Sequence, residues 1–114
     1  MQVPCEKGLG RSMLVSMGWA SHYIEKLQKG KTVSFRPMGA SMRGKVNSGD
    51  LCTVVPIGDR AVHVGDIVLC TVKGRQYLHL VKALRHGEYQ IGNNRGGING
   101  WTRSIHGLCI SVQP

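Results

Sequence analysis

Acidic residues are scarce in this chain. Its 114 residues include six Asp and Glu against fifteen Lys and Arg, which gives a formal net charge of +9. Such a charge attracts polyanions through a salt-sensitive interaction that needs no sequence recognition, so nucleic acid is a candidate partner. The basic residues are nevertheless scattered from Lys7 to Arg103 and form no run. Because clustering is the feature that indicates a nucleic-acid site, a generally basic surface explains the composition equally well.

Closely spaced cysteines and long apolar runs are also absent. The cysteines lie at positions 5, 52, 70 and 109, and no Cys-x-x-Cys or Cys/His pair has zinc-finger spacing. We therefore expect no metal site, no disulfide framework and no cofactor, and a reducing cytoplasm is the expected location. The apolar stretch at residues 13–27 is interrupted by charged residues and falls short of the roughly 20 apolar residues of a membrane span. We expect neither a secretory signal nor a membrane anchor.

The organisation of the chain is that of one small domain. We interpret residues 1–114 as a single unit, which is close to the commonest domain size. Before Gly30, apolar residues recur near helical spacing, and Ser12 is a candidate N-cap, so we predict a helix over residues 12–29. After Gly30, short runs rich in β-branched residues alternate with Gly, Pro or Asp, as strands do. We predict strands at residues 32–36, 51–57, 66–72, 76–84, 88–91 and 108–112. The predicted fold class is mainly β: a small curled sheet or partial barrel over residues 32–112, with one N-terminal helix.

Two Gly-Asp pairs, Gly49–Asp50 and Gly65–Asp66, each precede an apolar run. Glycine supplies the positive φ of a tight turn, and an Asp side chain bonds nearby backbone amides. We interpret both pairs as turns that lead into strands.

A candidate nucleophile lies in the loop at residues 37–42. Gly39 and Ala40 precede Ser41 and leave room for a substrate backbone, and the amides of this loop could stabilise an oxyanion. Met42 could anchor the loop in the core. A Gly-Ala-Ser-Met sequence is also compatible with an ordinary turn, so the motif alone does not decide between a nucleophile and a turn.

Lys82 is the candidate general base. Side chains alternate between the two faces of a strand, so Lys82 shares a face with Leu78, Leu80 and Leu84. If that face is the core, burial lowers the pKa of the amine and allows it to accept a proton from a serine near neutral pH. The alternative is an edge strand from which Lys82 extends to water.

The order of these motifs resembles that of the LexA and signal-peptidase clan of serine peptidases. Ser41-Met42, Gly49-Asp50, a second Gly-Asp-Ile-Val run at residues 65–68 and Val81-Lys82 follow one another as in that clan. Residues 91–95, Ile-Gly-Asn-Asn-Arg, are similar to the later Gly-Asp-Asn-Arg segment of signal peptidases. The resemblance covers roughly residues 33–112. It implies a serine endopeptidase of LexA/UmuD type in which Ser41 is the nucleophile and Lys82 the base.

The sequence departs from the clan at several positions. Arg43-Gly44 stands where the clan usually has Pro soon after Ser-Met, and Ala83 follows Lys82 in place of the common Arg. No Ala-Gly or Cys-Gly precedes Ser41, so we expect cleavage of another protein or peptide and not self-cleavage.

A Ser–His pair is the other way to activate a serine. The five histidines, at positions 22, 63, 79, 86 and 106, show no partner pattern in the sequence. His79 lies three residues before Lys82, and strand alternation places it on the opposite face. The sequence therefore favours Lys82 over His79.

Two further functions remain open at this stage. A domain without hydrolytic activity could bind nucleic acid or a partner protein through the flexible loop at residues 92–101, where Arg95 would contact phosphate and Trp101 would stack on a base, with Arg103 nearby. The alternative interpretation of this segment is a plain surface loop. The strand at residues 108–112 could also pair across a two-fold axis in a homodimer.

Overall fold

The computed structural model describes residues 18–114, which form one helix and seven strands. In chain order these are α1 (Ser21–Gln28), β1 (Val33–Phe35), β2 (Leu51–Pro56), β3 (Ile67–Val72), β4 (Arg75–Arg85), β5 (Glu88–Gly92), β6 (Ile98–Thr102) and β7 (Ile105–Gln113). The predicted mainly β fold with a single helix is confirmed. The strands predicted from sequence correspond to β1–β5 and β7, with ends that differ by three residues or fewer.

All strands belong to one antiparallel sheet in the order β1-β2-β7-β3-β4-β5-β6. The sheet is not closed, so β1 and β6 are its two edges. It curls strongly. The hydroxyl of Thr102, at the end of β6, donates a 2.6 Å hydrogen bond to the carbonyl of Thr71 on β3, although β4 and β5 lie between these strands in the sheet.

The core consists of two clusters on the two faces of the sheet. The first cluster contains α1 and the buried side of β1 and β2, and the second fills the inside of the curl. The first comprises Ala20, Ile24, Leu27, Val33, Phe35, Met42, Val46, Cys52, Val54, Leu69, Leu78 and Leu80. The second comprises Val62, Val68, Cys70, Val72, Val81 and Ile91. Strand β4 contributes Leu80 to one cluster and Val81 to the other, so its central part is buried on both faces.

The helix is shorter than predicted over the described residues. It begins at Ser21, whereas residues 18–20 form a turn, and the proposed N-cap Ser12 lies outside the described residues. Gln76 of β4 explains this start. Its side-chain oxygen accepts a 2.7 Å hydrogen bond from the amide of Ala20, and its side-chain nitrogen donates to Ser21 Oγ. The side chain of Gln76 therefore accepts a hydrogen bond from a backbone amide that has no partner within the helix.

Strand β6 was not predicted from sequence. Its residues, Ile98–Thr102, lie in a Gly- and Asn-rich segment that we interpreted as a loop. The antiparallel pairing with β5, from Tyr89↔Thr102 to Gly92↔Ile98, imposes the strand conformation. Tertiary context thus outweighs a composition that is unfavourable for strands.

Both Gly-Asp turns are confirmed. Gly49 and Gly65 have φ of 87° and 97°, a conformation that favours glycine. Asp50 Oδ2 accepts a 2.8 Å hydrogen bond from the amide of Asn47, and Asp66 Oδ2 accepts one of the same length from the amide of His63. Each carboxylate therefore stabilises its own turn.

Candidate functional site

The loop that carries Ser41 is anchored from below by its neighbour. Met42 is fully buried in the first core cluster, which confirms its predicted anchoring role. The loop is held by hydrogen bonds from the amide of Arg43 to the carbonyl of Ala40, 3.1 Å, and from the amide of Val46 to the carbonyl of Met42, 2.8 Å. With Met42 fixed in the core, the half-buried Ser41 is held next to β4.

The hydroxyl of Ser41 is hydrogen-bonded to a histidine. Its Oγ lies 3.1 Å from Nε2 of His79, a residue of β4 with 3% of its surface exposed. The other ring nitrogen of His79, Nδ1, lies 2.7 Å from Oδ1 of Asn99 on β6. Because the amide oxygen of Asn99 accepts, Nδ1 carries the proton, and the lone pair of Nε2 faces the serine hydroxyl. This is the arrangement of a serine with a base and an orienting group.

The environment of His79 keeps its ring neutral. Burial lowers the pKa of His79, and the hydrogen bond that its Nδ1 donates to Asn99 opposes this effect only in part. Tyr77 stacks against the imidazole with ring centroids 4.8 Å apart. A neutral imidazole with a free Nε2 can accept a proton at pH 7.

Asn99 occupies an irregularity in its strand. Ile91 pairs with Gly100 and Gly92 pairs with Ile98, so Asn99 has no partner of its own in the ladder. Such a bulge turns a side chain away from the direction that regular alternation would give it. The bulge accompanies the contact of Asn99 with His79.

The sequence shows no partner pattern for His79, because its partners Ser41 and Asn99 come from distant parts of the chain. Strand alternation indicates only that His79 faces away from Lys82, whereas in the structure both faces of β4 are buried near His79. Asn99 was also missed, because the segment that holds it was interpreted as a loop. A buried polar residue between two apolar ones, as in Leu78-His79-Leu80, was the available signal.

Lys82 is half-buried and lies at a second bulge, between Val81 and Ala83. Its Cε lies against Gly92, where an added β-carbon would come within 3.0 Å of it. Among residues 18–114 no hydrogen bond or ion pair joins Lys82 to Ser41 or to any other side chain. Leu84, predicted to share a core face with Lys82, is 47% exposed. The role of Lys82 as base stays a prediction.

The turn between β5 and β6 is hydrogen-bonded to the loop that carries Ser41. The amide of Asn94 donates a 3.0 Å hydrogen bond to the carbonyl of Ser41, and its side-chain nitrogen donates a 2.8 Å bond to the carbonyl of Arg43. Asn93 stabilises the turn itself, because its Oδ1 accepts from the amides of Arg95 and Gly97. Through these contacts the hairpin that carries Asn99 also positions Ser41.

Two backbone amides are available to an oxyanion. The amide of Gly39, one of the predicted oxyanion residues, already donates to Ser48 Oγ at 3.1 Å. The amides of Ala40 and Ser41 donate no hydrogen bond to any group within residues 18–114, and both residues are partly exposed. Met42, the third predicted oxyanion residue, is fully buried, so its amide does not reach a substrate. The loop can therefore offer the amides of Ala40 and Ser41 to an oxyanion.

A pocket of about 440 Å³ opens beside the same loop. It is lined by Gly39, Ala40, Arg43, Asn47 and Ser48. Gly39 and Ala40 form the part of the pocket next to Ser41. The side chains of the other three residues supply hydrogen-bonding groups.

The residues considered for nucleic-acid binding lie near the two ends of β6. Arg95 lies in the turn before β6, whereas Trp101 and Arg103 lie at the far end of that strand. Arg85 covers the ring of Trp101 at 4.0 Å from its centroid, and Arg103 pairs with Glu88 at 3.7 Å. One face of Trp101 is therefore occupied by a side chain.

The cysteines within residues 18–114 occupy positions that fit a structural role. Cys52, Cys70 and Cys109 are free, and the first two are buried; Cys5 lies outside the described residues. Burial raises the pKa of the Cys70 thiol to about 12, which makes it unreactive.

Across residues 18–114, no group of three or more Cys, His, Asp or Glu residues could hold a metal ion. Within the same residues, no helix has the length and apolar character to cross a membrane.

Comparison with known proteins adds no relative. No family model, curated protein or solved structure matches this chain.

Proposed function

We propose that this chain is a serine peptidase in which Ser41 is the nucleophile, His79 the general base and Asn99 the group that orients His79. The observation that carries the proposal is the hydrogen-bonded series Ser41 Oγ, His79 Nε2, His79 Nδ1 and Asn99 Oδ1, with distances of 3.1 and 2.7 Å. The predicted Ser41–Lys82 dyad is the alternative arrangement, with Lys82 as base. Both arrangements use the same nucleophile.

In the reaction, His79 Nε2 accepts the proton of Ser41 as Oγ bonds to the carbonyl carbon of the substrate. The amides of Ala40 and Ser41 donate to the resulting oxyanion. The proton on Nε2 then passes to the leaving amine as the carbon–nitrogen bond breaks, which leaves an acyl group on Ser41. Water gives a proton to His79 as it attacks the acyl carbon. His79 then returns this proton to Ser41 Oγ as the bond between Oγ and the acyl carbon breaks, which releases the carboxylic acid and restores Ser41.

The open sheet supports a peptide as substrate. The outer edges of β1 and β6 are unpaired within the sheet, and the loops next to both edges meet at Ser41 through Asn94. An extended peptide can add to such an edge by main-chain hydrogen bonds, which would place a peptide carbonyl beside the nucleophile. The free cysteines are compatible with action in a reducing compartment such as the cytoplasm.

A fluorophosphonate probe tests the nucleophile directly. We expect the wild-type chain to be labelled at Ser41, as shown by mass spectrometry of the digested protein, and the Ser41→Ala variant to remain unlabelled. Ser34, an exposed serine on β1 bonded to Thr53, supplies the control, since Ser34→Ala should label like the wild type. Equal labelling of wild type and Ser41→Ala, or none in either, would refute the proposal.

The pH dependence of labelling identifies the base. Burial lowers the pKa of His79 below its usual 6.5, so the labelling rate should be constant above neutrality and fall to half at a pH below 6.5. In Asn99→Asp a carboxylate beside the ring favours the imidazolium and should move this midpoint to higher pH. With Lys82 as base, Asn99→Asp would leave the midpoint in place.

A further inference from the structure

The pocket beside the nucleophile contains hydrogen-bond donors with few competing acceptors. The guanidinium of Arg43 lines it and forms no ion pair with any carboxylate within residues 18–114. Asn47 also lines it, and because its Oδ1 accepts from the amide of Gly44 at 3.0 Å, its side-chain N–H groups are the part left for a ligand. Ser48 Oγ is occupied, accepting from the amide of Gly39 and donating to the sulfur of Met38.

Positive charges outnumber negative ones on the two loops that form or contact the pocket. Lys45 lies on the same loop as Arg43, and Arg95 follows Asn94, whose side chain bonds the carbonyl of Arg43 at 2.8 Å. One carboxylate, that of Asp50, also lies on this loop, where it accepts a hydrogen bond from the amide of Asn47 and stabilises the turn. An entering anion therefore meets more positive than negative charge, and the guanidinium of Arg43 is not paired with Asp50.

We propose that this pocket binds a carboxylate of the peptide substrate close to the bond that is cut. The inference rests on the proposed peptidase function and adds a substrate class to it. A guanidinium and an amide N–H match a carboxylate, which only accepts hydrogen bonds, and an uncharged amide of the same shape matches them less well. The carboxylate can come from an Asp or Glu side chain or from the C-terminus of a short peptide.

The test uses the full chain with Ser41→Ala, so that peptides bind without being cut. It is immobilised and exposed to N-acetylated octapeptide libraries in which one position is fixed as Glu, Gln or Lys and the others are mixtures of Ala, Val, Leu and Ser. Each library is made with a free and with an amidated C-terminus, which distinguishes the two sources of the carboxylate. The added variants are Arg43→Gln and, as the control for net charge, Arg60→Gln, beyond the opposite end of β2.

If the carboxylate comes from a side chain, we expect the immobilised chain to retain about fivefold more of the Glu library than of the Gln library at one fixed position. If it comes from the C-terminus, we expect about fivefold more retention of peptides with a free C-terminus than of amidated ones. An exposed ion pair allows a difference of this size. The preference should persist in Arg60→Gln, disappear in Arg43→Gln and weaken at high salt. Equal retention of Glu, Gln, free and amidated libraries would overturn the inference, as would a preference that survives Arg43→Gln. Fluorophosphonate labelling of Ser41 in the wild type is read separately. Labelling of Ser41 without a carboxylate preference would support the peptidase proposal and reject the carboxylate subsite. A carboxylate preference without labelling would reject the peptidase proposal and, with it, the assignment of the pocket as a substrate subsite.

Discussion

Replacing His79 with Gln should lower the rate of Ser41 labelling by about 10²–10⁴-fold at pH 7.5, the range that general base catalysis contributes. Gln can still hydrogen-bond to Ser41 but cannot take its proton. Replacing Lys82 with Met, which keeps the length of the side chain and removes the amine, should change the rate by less than about threefold. The measurement is the second-order rate constant for reaction with a fluorophosphonate.

The reverse result would assign the base to Lys82 and establish the Ser–Lys dyad predicted from sequence. Because His79 is buried between two apolar clusters, its substitution could also unfold the chain. Thermal unfolding of each variant by circular dichroism is therefore measured alongside labelling. A rate loss supports a catalytic role for His79 only if the His79→Gln chain remains folded at the assay temperature.

Gly107→Ala should destabilise the fold by about 2–3 kcal/mol, the range of overpacked cores. An added β-carbon would lie 2.5 Å from Val54 Cγ1 and 2.9 Å from both Leu27 Cδ1 and the carbonyl oxygen of Val55. The side-chain atoms can move, whereas the carbonyl belongs to β2, which pairs with β7 at this point. The midpoint of thermal unfolding should fall by about 10–20 °C for a domain of this size.

A double-mutant cycle with Val54→Ala checks the cause of that loss. Removing Cγ1 of Val54 makes space for the new methyl group, so Gly107→Ala should cost less in the Val54→Ala background than in the wild type. Equal costs in both backgrounds would show that the contact with Val54 does not limit the packing of α1 and β2 against Gly107.

The nucleophile loop could be predicted from sequence because its signals are local. Small residues before Ser41, an apolar Met42 after it and a Gly-Asp turn downstream each describe a few neighbouring residues, and the structure has Met42 in the core and Asp50 in its turn. Alternation along β4 was equally local but gave the wrong surroundings for His79, since it does not reveal that the sheet curls and buries both faces.

Asn99 could not be predicted because its contact with His79 depends on a long-range bulge. The Gly-Gly-Ile-Asn-Gly sequence has little strand propensity, and it becomes β6 only by pairing with β5. A one-residue change of register there decides whether the amide reaches the imidazole. Such registers are set by the whole sheet and not by the sequence of one strand.

The position of β7 constrains how the protein can be made. The last of the seven strands along the chain lies between β2 and β3 and joins the two halves of the sheet. Before β7 is made, β3–β6 can pair as hairpins and β1 can pair with β2, but the two groups of strands do not pair with each other. A chain that ends before residue 105 would therefore contain two separate pieces of sheet, each with an uncovered edge that can pair with another nascent chain.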